Sequence, residues 1–505
     1  MSNKWFKLQN GSDIRGVAMD GIEGESINLT PNETKIIASS FTKWLSDKTG
    51  KGSDSLKIAI GMDSRLTGPA IKDGIIEGIT LLGSEAIDCS LASTPSMFMS
   101  TIFESTNCDG GIMITASHLP FNRNGMKFFT KAGGLDKADI KALLTTASEA
   151  DYTISAQTGA VNTLDLISLY SDFLVDYIRK NVNHPTNYST PLAGLKIIVD
   201  AGNGAGGFYA EKVLKPLGAD IAGSQFLDPD GTFPNHIPNP EDKDAMESIQ
   251  GATVKNNADL GIIFDTDVDR AAVVDATGKI INRNRLIALM AAIALEKSPG
   301  TTIVTDSVTS DGLAEFIESI GGVHHRFKRG YKNVINESIR LNNEGIDSAL
   351  AIETSGHGAL KENYFLDDGA FTITKILVKM SQLQQEGKKL GQLIDTLKEP
   401  VESEEYRVKI TTEDFQGYGM DVIEQLKAFA ETHSLFNIVP KNFEGIRIST
   451  TDKDSEGWLL VRLSLHDPIL PINIESNVAG GVNILKAELL KFLSGFDKLD
   501  IECMK

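Results

Sequence analysis

The chain has 505 residues, of which 41% are hydrophobic and 23% charged, an ordinary globular composition with room for three to four domains at roughly 100–200 residues each. Its formal charge of −19 argues against nucleic acid and anionic membrane as partners, because both attract basic surfaces. Three scattered cysteines, Cys89, Cys108 and Cys503, are too few for a disulfide framework or a zinc site and fit thiols in a reducing compartment.

The first residues, MSNKWFKLQNGSD, lack the apolar stretch of a secretory signal, and a cytoplasmic location is expected. Apolar strands are predicted at Leu56 to Met62 and Gly110 to Ile114, followed by a helix over Leu164 to Asn183. Two more strands follow at Leu195 to Val199 and Leu260 to Phe264. The run Leu286 to Leu295 is too short for a bilayer that needs about 20 residues and reads as a core helix. Strands then recur at Thr301 to Thr305 and Ser348 to Ile352. Strands alternating with helices predict largely parallel α/β layers, covered by helices on both faces because the strands are so apolar. Near residue 400 the texture changes: YRVKI, GIRIST, WLLVRLSL and PINIES follow one another with fewer helices, before a terminal helix over Val482 to Phe496. A smaller α+β domain with an antiparallel sheet is expected there.

Three polar segments follow directly after apolar strands, at the sheet edge where α/β proteins bind ligands. The first is Thr115-Ala116-Ser117-His118-Leu119-Pro120, with Asn124-Gly125-Met126-Lys127 after it. It offers a serine hydroxyl beside an imidazole with a lysine nearby, suited to accept a phosphoryl group. The second is Asp265-Thr266-Asp267-Val268-Asp269-Arg270. Residues i, i+2 and i+4 of extended backbone project to one side, so three carboxylates converge and call for a hard cation such as Mg²⁺. An EF-hand is excluded, since its positions 6 and 12 require Gly and Glu and are Arg270 and Ala276 here. The third is Glu353-Thr354-Ser355-Gly356-His357, whose side chains suit sugar hydroxyls and whose histidine can move protons near neutral pH.

In this order the three segments resemble the α-D-phosphohexomutase family (phosphoglucomutase/phosphomannomutase and relatives), which carries T-A-S-H-N-P with N-G-x-K, then D-G-D-x-D-R, G-E-x-S-G-H and an arginine–serine phosphate loop. Further segments align with the same family: Gly11 to Gly16, Gly61-Met62-Asp63-Ser64-Arg65, the glycine turn Asp200 to Gly206, Pro238-Asn239-Pro240, Lys328-Arg329-Gly330-Tyr331-Lys332, and Arg462 to Pro468. Leu119, Thr266, Leu465, His466 and Pro471 depart from the family pattern.

The resemblance implies three similar α/β domains with mixed, mostly parallel sheets plus a C-terminal α+β domain with an antiparallel sheet, around a central cleft. The expected divisions are 1–161 (phosphoserine loop), 162–283 (metal loop), 284–399 (sugar-specificity loops) and 400–505 (phosphate-binding loop). It also implies an intramolecular phosphotransferase that interconverts hexose 1-phosphate and hexose 6-phosphate (glucose or mannose) through a phosphoserine and a hexose 1,6-bisphosphate. Ser117, His118, Lys127, Arg15 and His357 would be catalytic, with Lys127, His357 and Arg15 all open as the acid/base. Ser117, Asp265, Asp267 and Asp269 would hold Mg²⁺. Arg270, Arg329, Gly330, Lys332, Glu353, Ser355, His357, Arg462, Ser464 and His466 would bind substrate. Phosphoglucosamine mutase, or a non-catalytic sugar-phosphate-binding regulator on the same fold, are the alternatives. A serine hydrolase is disfavoured because no G-x-S-x-G elbow is present.

Overall fold

The structure, a computed structural model, describes residues 4–464 and 467–505. The chain forms two compact units, Met1–Leu286 with Ser355–Gln392 and Ile287–Thr354 with Leu393–Lys505.

In the larger unit the first sheet runs, in spatial order, Gln9–Asn10, Asp13–Val17, Arg123–Thr130, Gly110–Ile114, Lys57–Met62, Glu85–Leu91, Val161–Thr163. Lys57–Met62 pairs parallel with both Glu85–Leu91 and Gly110–Ile114, whereas Arg123–Thr130 runs antiparallel to Gly110–Ile114 and to Asp13–Val17. The second sheet joins Ile197–Asp200, Leu260–Phe264, Ala271–Asp275 and Ile280–Ile281, with only its first pairing parallel. The mixed character is therefore concentrated at the expected functional loops. Residues 115–122 and 265–270 each link two antiparallel strands, so each loop is a hairpin tip rather than the strand-to-helix turn of a βαβ unit. The following segments, Gly125 to Phe129 and Ala271 to Val274, are apolar enough to be buried beside the preceding strand, which favours direct return over a helical crossover.

In the smaller unit Thr302–Thr305 pairs parallel with Val323–Arg326 and Ser348–Ile352, with helices Asp311–Ser319 and Tyr331–Asn343 as the crossovers. The expected antiparallel sheet follows: Asn437–Ile438, Ile446–Thr450, Gly457–Val461, Ile469–Ser476, Glu402–Ile410 and Leu499–Asp500. Its apolar face packs with Val422, Leu426, Leu485 and Leu489, which lie on helices Phe415–Thr432 and Gly481–Leu493. The chain leaves this sheet at Val461, earlier than the apolar run alone suggests, so Arg462 and Ser464 lie in the loop beyond it.

The terminal and core helices occur close to their predicted spans, at Leu166–Val182, Asn284–Lys297 and Gly481–Leu493. Among the described residues no helix is long and apolar enough to cross a membrane. Cys89 and Cys108 are buried thiols and Cys503 an exposed one. Burial pushes Cys89 up to about 12 and Cys108 up to about 11, so neither is a nucleophile at neutral pH.

Helix Pro31–Thr49 begins at a Thr30 capping box with Glu33, which satisfies orphan N–H groups at the helix start. It meets helix Gly68–Thr80 backbone to backbone. A Cβ on Gly74 would lie 2.3 Å from the Pro31 carbonyl oxygen, and one on Gly78 would lie 2.3 Å from that of Lys35. Glycines one turn apart thus set the helix spacing over the first sheet. Gly78→Ala should destabilise the protein by about 1–3 kcal/mol through overpacking, read as a lowered thermal midpoint; an unchanged midpoint would show that the helices separate without cost.

Candidate functional site: a serine, an aspartate triad and a separate arginine cluster

Ser117 lies in the loop after the fully buried strand Gly110–Ile114. Its backbone is left-handed, with φ 49°, a conformation that costs a non-glycine residue energy and persists only where surrounding contacts enforce it. Arg65 supplies that enforcement. Arg65 is 1% exposed, and its guanidinium donates to the carbonyls of Pro120 (2.8 Å), Arg123 (2.9 Å), Ser117 (2.5 Å) and Leu119 (2.5 Å). Asp63 stands 3.5 Å from its Nε. The planar fork of arginine suits several fixed acceptors at once, which explains the Asp-x-Arg spacing of residues 63–65. The Ser117 amide also donates to the Thr115 hydroxyl at 2.8 Å.

Asp265, Asp267 and Asp269 are wholly buried, and one carboxylate oxygen of each lies within 4.8 Å of the others. Val268 between them has φ 68°, an outlier for a β-branched residue. Gly204 of the glycine turn explains how this loop is seated: a Cβ there would lie 2.7 Å from the Thr266 carbonyl oxygen and 2.8 Å from its Cα. The Thr94 hydroxyl donates to Asp267, and the Thr94 amide donates to the Asp267 carbonyl at 2.8 Å. Lys127 donates to Asp269 and lies 3.4 Å from Asp267. Arg270 Nε donates to Asp265 at 3.2 Å. Burial and the charges of Asp269 and Asp267 push Asp265 well above the usual carboxylate range. At Asp269 the upward push of burial is outweighed by Lys127, His357 and Arg270, which hold it well below that range. Asp267 Oδ1 and Asp269 Oδ1 are buried acceptors without a hydrogen-bond partner. An all-oxygen donor set with orphaned acceptors fits a hard divalent cation.

The serine and the triad meet. Ser117 Oγ donates to Asp265 Oδ2 at 3.1 Å and accepts from Arg270 NH2 at 3.1 Å. Arg270 also donates to His118 Nδ1 at 2.7 Å and to Asn239 Oδ1 at 2.9 Å. Burial, with Arg270 and His357 nearby, pushes His118 down to about 3, so it is a neutral acceptor. Arg15 donates to the Thr115 carbonyl and, at 2.8 Å, to Asp13. Gly125 makes room for it: a Cβ there would lie 2.1 Å from the Ile14 carbonyl oxygen and 2.8 Å from Arg15 Cδ. His357 Nδ1 lies 2.5 Å from Asp367 and 4.0 Å from Asp269. Burial would lower its pKa, but Asp367 and Asp269 outweigh it and raise the imidazole to about 9, so it is cationic at neutral pH.

The smaller unit carries a second polar cluster. The Glu353 carboxylate accepts from the Gly330 amide at 2.5 Å, at the start of helix Tyr331–Asn343, whose first turn bears Lys332. Asp306 accepts from the Thr354 hydroxyl at 2.7 Å and from its amide at 3.3 Å. Arg462 is mostly buried, with an Nε that has no hydrogen-bond partner, and its NH1 lies 4.0 Å from Glu444. The Ser464 hydroxyl accepts from the Asp467 amide at 3.1 Å. His466 lies outside the described residues. The unit boundary falls between Thr354 and Ser355, so the predicted pentapeptide contributes Glu353 to one cluster and His357 to the other.

Models of the phosphoglucomutase/phosphomannomutase α/β/α domains I, II and III match residues 7–153, 172–278 and 282–400. The phosphoglucomutase of Neisseria meningitidis is 30% identical over 84% of this chain and 86% of its own. The phosphomannomutase/phosphoglucomutase of Pseudomonas aeruginosa is 27% identical over 96% of this chain and 95% of its own. The crystal structure of a phosphoglucomutase/phosphomannomutase family protein from Burkholderia thailandensis superposes with a TM-score of 0.79, covering 98% of both chains at 24% identity. The chain belongs to the phosphoglucomutase/phosphomannomutase family.

Within this phosphohexomutase, sequence reasoning left four contributors out of the site. Arg65 was legible as part of a motif but not as the clamp of the serine loop. Thr94 gave no signal, since it caps nothing chemically distinctive. Asp367 stands beside Asp368, which caps helix Gly369–Gln385 by accepting from the Phe371 amide at 2.7 Å. A pair of acids before a helix needs only one for the cap, and that surplus was the available clue. Asn239 was visible only as part of Pro-Asn-Pro.

Arg65→Met should leave Asp63 buried without its cation and several loop carbonyls without a donor. A lost buried pair of this kind costs about 3–5 kcal/mol. The expected result is a lowered thermal midpoint together with a fall in turnover, measured on the same preparation; wild-type values of both would show that the loop holds its shape without the clamp.

Proposed function

We propose that this chain interconverts hexose 1-phosphate and hexose 6-phosphate of the glucose and mannose series, with Ser117 as phosphoryl carrier and hexose 1,6-bisphosphate as the intermediate. The observation that carries the reading is the placement of Ser117 Oγ 3.1 Å from both Asp265 and the Arg270 guanidinium. A hydroxyl beside a carboxylate triad and a buried arginine is suited to exchange a phosphoryl group, because phosphoryl transfer is governed by positioning and charge stabilisation. The choice of glucose and mannose follows the relatives' names. Thr354, which stands where the hexose preferences of the family diverge, has its hydroxyl engaged by Asp306 and supports no particular sugar.

In this reading the phosphorus of phosphoserine 117 is attacked by a sugar hydroxyl. The new P–O bond forms on the sugar as the bond to Ser117 Oγ breaks, and the hydroxyl proton passes to a base. The phosphate of the resulting bisphosphate that was not newly attached then returns to Ser117. Asp265, Asp267, Asp269 and the phosphoserine would hold Mg²⁺, which supplies Lewis-acid stabilisation of phosphate charge. Arg270 steadies the charge on Ser117, and neutral His118 fixes the Arg270 guanidinium. Lys127 and Arg15 are held as fixed charges by Asp269 and by Thr115 and Asp13. His357, cationic beside Asp367, is the group we assign to proton exchange: it would first give its proton to the departing oxygen, and the neutral imidazole so formed would take the proton of the attacking sugar hydroxyl. Arg329, Gly330, Lys332, Glu353, Ser355, Arg462, Ser464 and His466 bind the sugar and its phosphate. The divisions 1–161, 162–283, 284–399 and 400–505, and a cytoplasmic location, belong to the same reading. A non-catalytic regulator is disfavoured by the intact serine and triad.

Ser117→Ala should lower turnover of glucose 1-phosphate by about a thousandfold or more, and intact-mass analysis should find one phosphate on the wild type and none on the variant. Near-normal turnover of the alanine variant would sink the phosphoserine mechanism. Asp267→Asn should weaken Mg²⁺ binding by at least about tenfold by calorimetry with little loss of thermal stability, and activity should fall with it. Full activity after exhaustive chelation would instead rule out the metal.

A further inference from the structure

The phosphate cluster of the smaller unit contains acids where a phosphate site is expected to hold cations alone. Glu444 precedes Gly445, whose φ is 57°. A Cβ on that glycine would lie 2.1 Å from the Val461 carbonyl oxygen and 2.7 Å from Arg462 Cα. The Glu444–Gly445 turn therefore sits directly on the backbone that carries Arg462. From there the Glu444 carboxylate reaches three segments. It accepts from the Ser307 hydroxyl and, at 3.1 Å, from the Arg329 amide, and Oε1 lies 4.0 Å from Arg462 NH1. Its side chain is 20% exposed, so solvent screens these interactions only in part.

The ion pair with Arg462 is long, and Arg462 Nε is a buried donor without a partner. The guanidinium is thus balanced in charge by Glu444 but not saturated in hydrogen bonds. Two guanidinium groups, Arg329 and Arg462, face the carboxylates of Glu444, Glu405 and Asp306. Asp306 is tied down by Thr354 through both its hydroxyl and its amide. Glu444 is likewise held by one hydroxyl and one amide, but unlike the fully buried Asp306 it is partly exposed, and it is the acid that forms the ion pair with Arg462. A dianionic phosphate that docks on Arg462 must displace this carboxylate or bear its repulsion.

Resting on the phosphohexomutase reading, we propose that Glu444 is the affinity-setting residue of the phosphate site: its carboxylate stands in for the substrate phosphate at Arg462 and yields when phosphate binds. As counter-ion it keeps Arg462 and the Arg329 loop in position; as competitor it weakens phosphate binding and speeds release.

The test is the dissociation constant of glucose 6-phosphate, measured by calorimetry on the wild type, Glu444→Gln and Arg462→Ala, alongside steady-state kinetics. Glutamine keeps an acceptor for Ser307 and Arg329 while removing the charge, and Glu444→Ser removes the charge a second way should glutamine disturb folding. Removing a like charge from the site is expected to tighten binding by about tenfold, with KM falling and kcat not rising. A merely structural role moves both in the other direction, raising KM and lowering kcat. If Arg462→Ala loses affinity while Glu444→Gln and Glu444→Ser bind no tighter than wild type, this inference fails and the phosphate reading stands. If Arg462→Ala binds glucose 6-phosphate as wild type does, the phosphate reading fails and takes this inference with it.

Discussion

Three aspartates buried at the tip of one hairpin are the constraint on which the larger unit depends. Two charges about 4 Å apart interact by about 4 kcal/mol at an effective dielectric of roughly 20, so a triad cannot persist without nearby cations. The chain brings them from separate places: Lys127 from the strand after the serine loop, Arg270 from the end of the metal loop, and His357 from beyond the Ser348–Ile352 strand. Arg270 then hands the arrangement on to Ser117 and His118. Serine loop, metal loop and histidine loop are therefore coupled through charge as well as through packing.

Strain is placed at the same points. Ser117 and Val268 both hold left-handed backbone, and each is enforced from outside its own loop. Arg65 pins the carbonyls around Ser117, and Gly204 leaves Thr266 room beside Val268. Strained residues at functional sites persist where surrounding structure over-determines them. Here that role falls to Arg65 and to glycines, residue types whose value lies in geometry and not in reactivity.

Much of this was readable in the chain. Apolar runs located the strands, and the polar segments after three of them located Ser117, the triad and His357, because ligand-bearing loops follow strand ends. What was not readable depends on pairing over long separations. Whether Gly110–Ile114 is followed by a crossover or a return strand turns on burial of Met126 and Phe128 beside it, which a local pattern does not specify. Arg65 and Thr94 act on residues far along the chain, Ser117 and Asp267, through one side chain each. Asp367 was masked by Asp368, since a helix cap accounts for acids at that point without invoking a histidine. Glu444 sits in a turn whose polar sequence has no distinguishing spacing.

The two polar clusters handle charge in opposite ways, and the difference bears on catalysis. Around Ser117 the cations gather on carboxylates, so the serine sits in a nearly balanced field, which in the proposed mechanism a metal and a phosphoryl group would complete together. Around Arg462 the carboxylates gather on cations, and the site meets its anion already partly neutralised. On a chain with a formal charge of −19, stronger positive charge at Arg329 and Arg462 would raise affinity for every phosphate species alike. Binding substrate and transition state equally lowers KM without raising kcat. An enzyme that interconverts two hexose phosphates must also release its product, and gains nothing from such uniform grip. In the proposed arrangement a carboxylate opposing Arg462 would keep the ground state loosely held, and would leave rate acceleration to the serine and the triad.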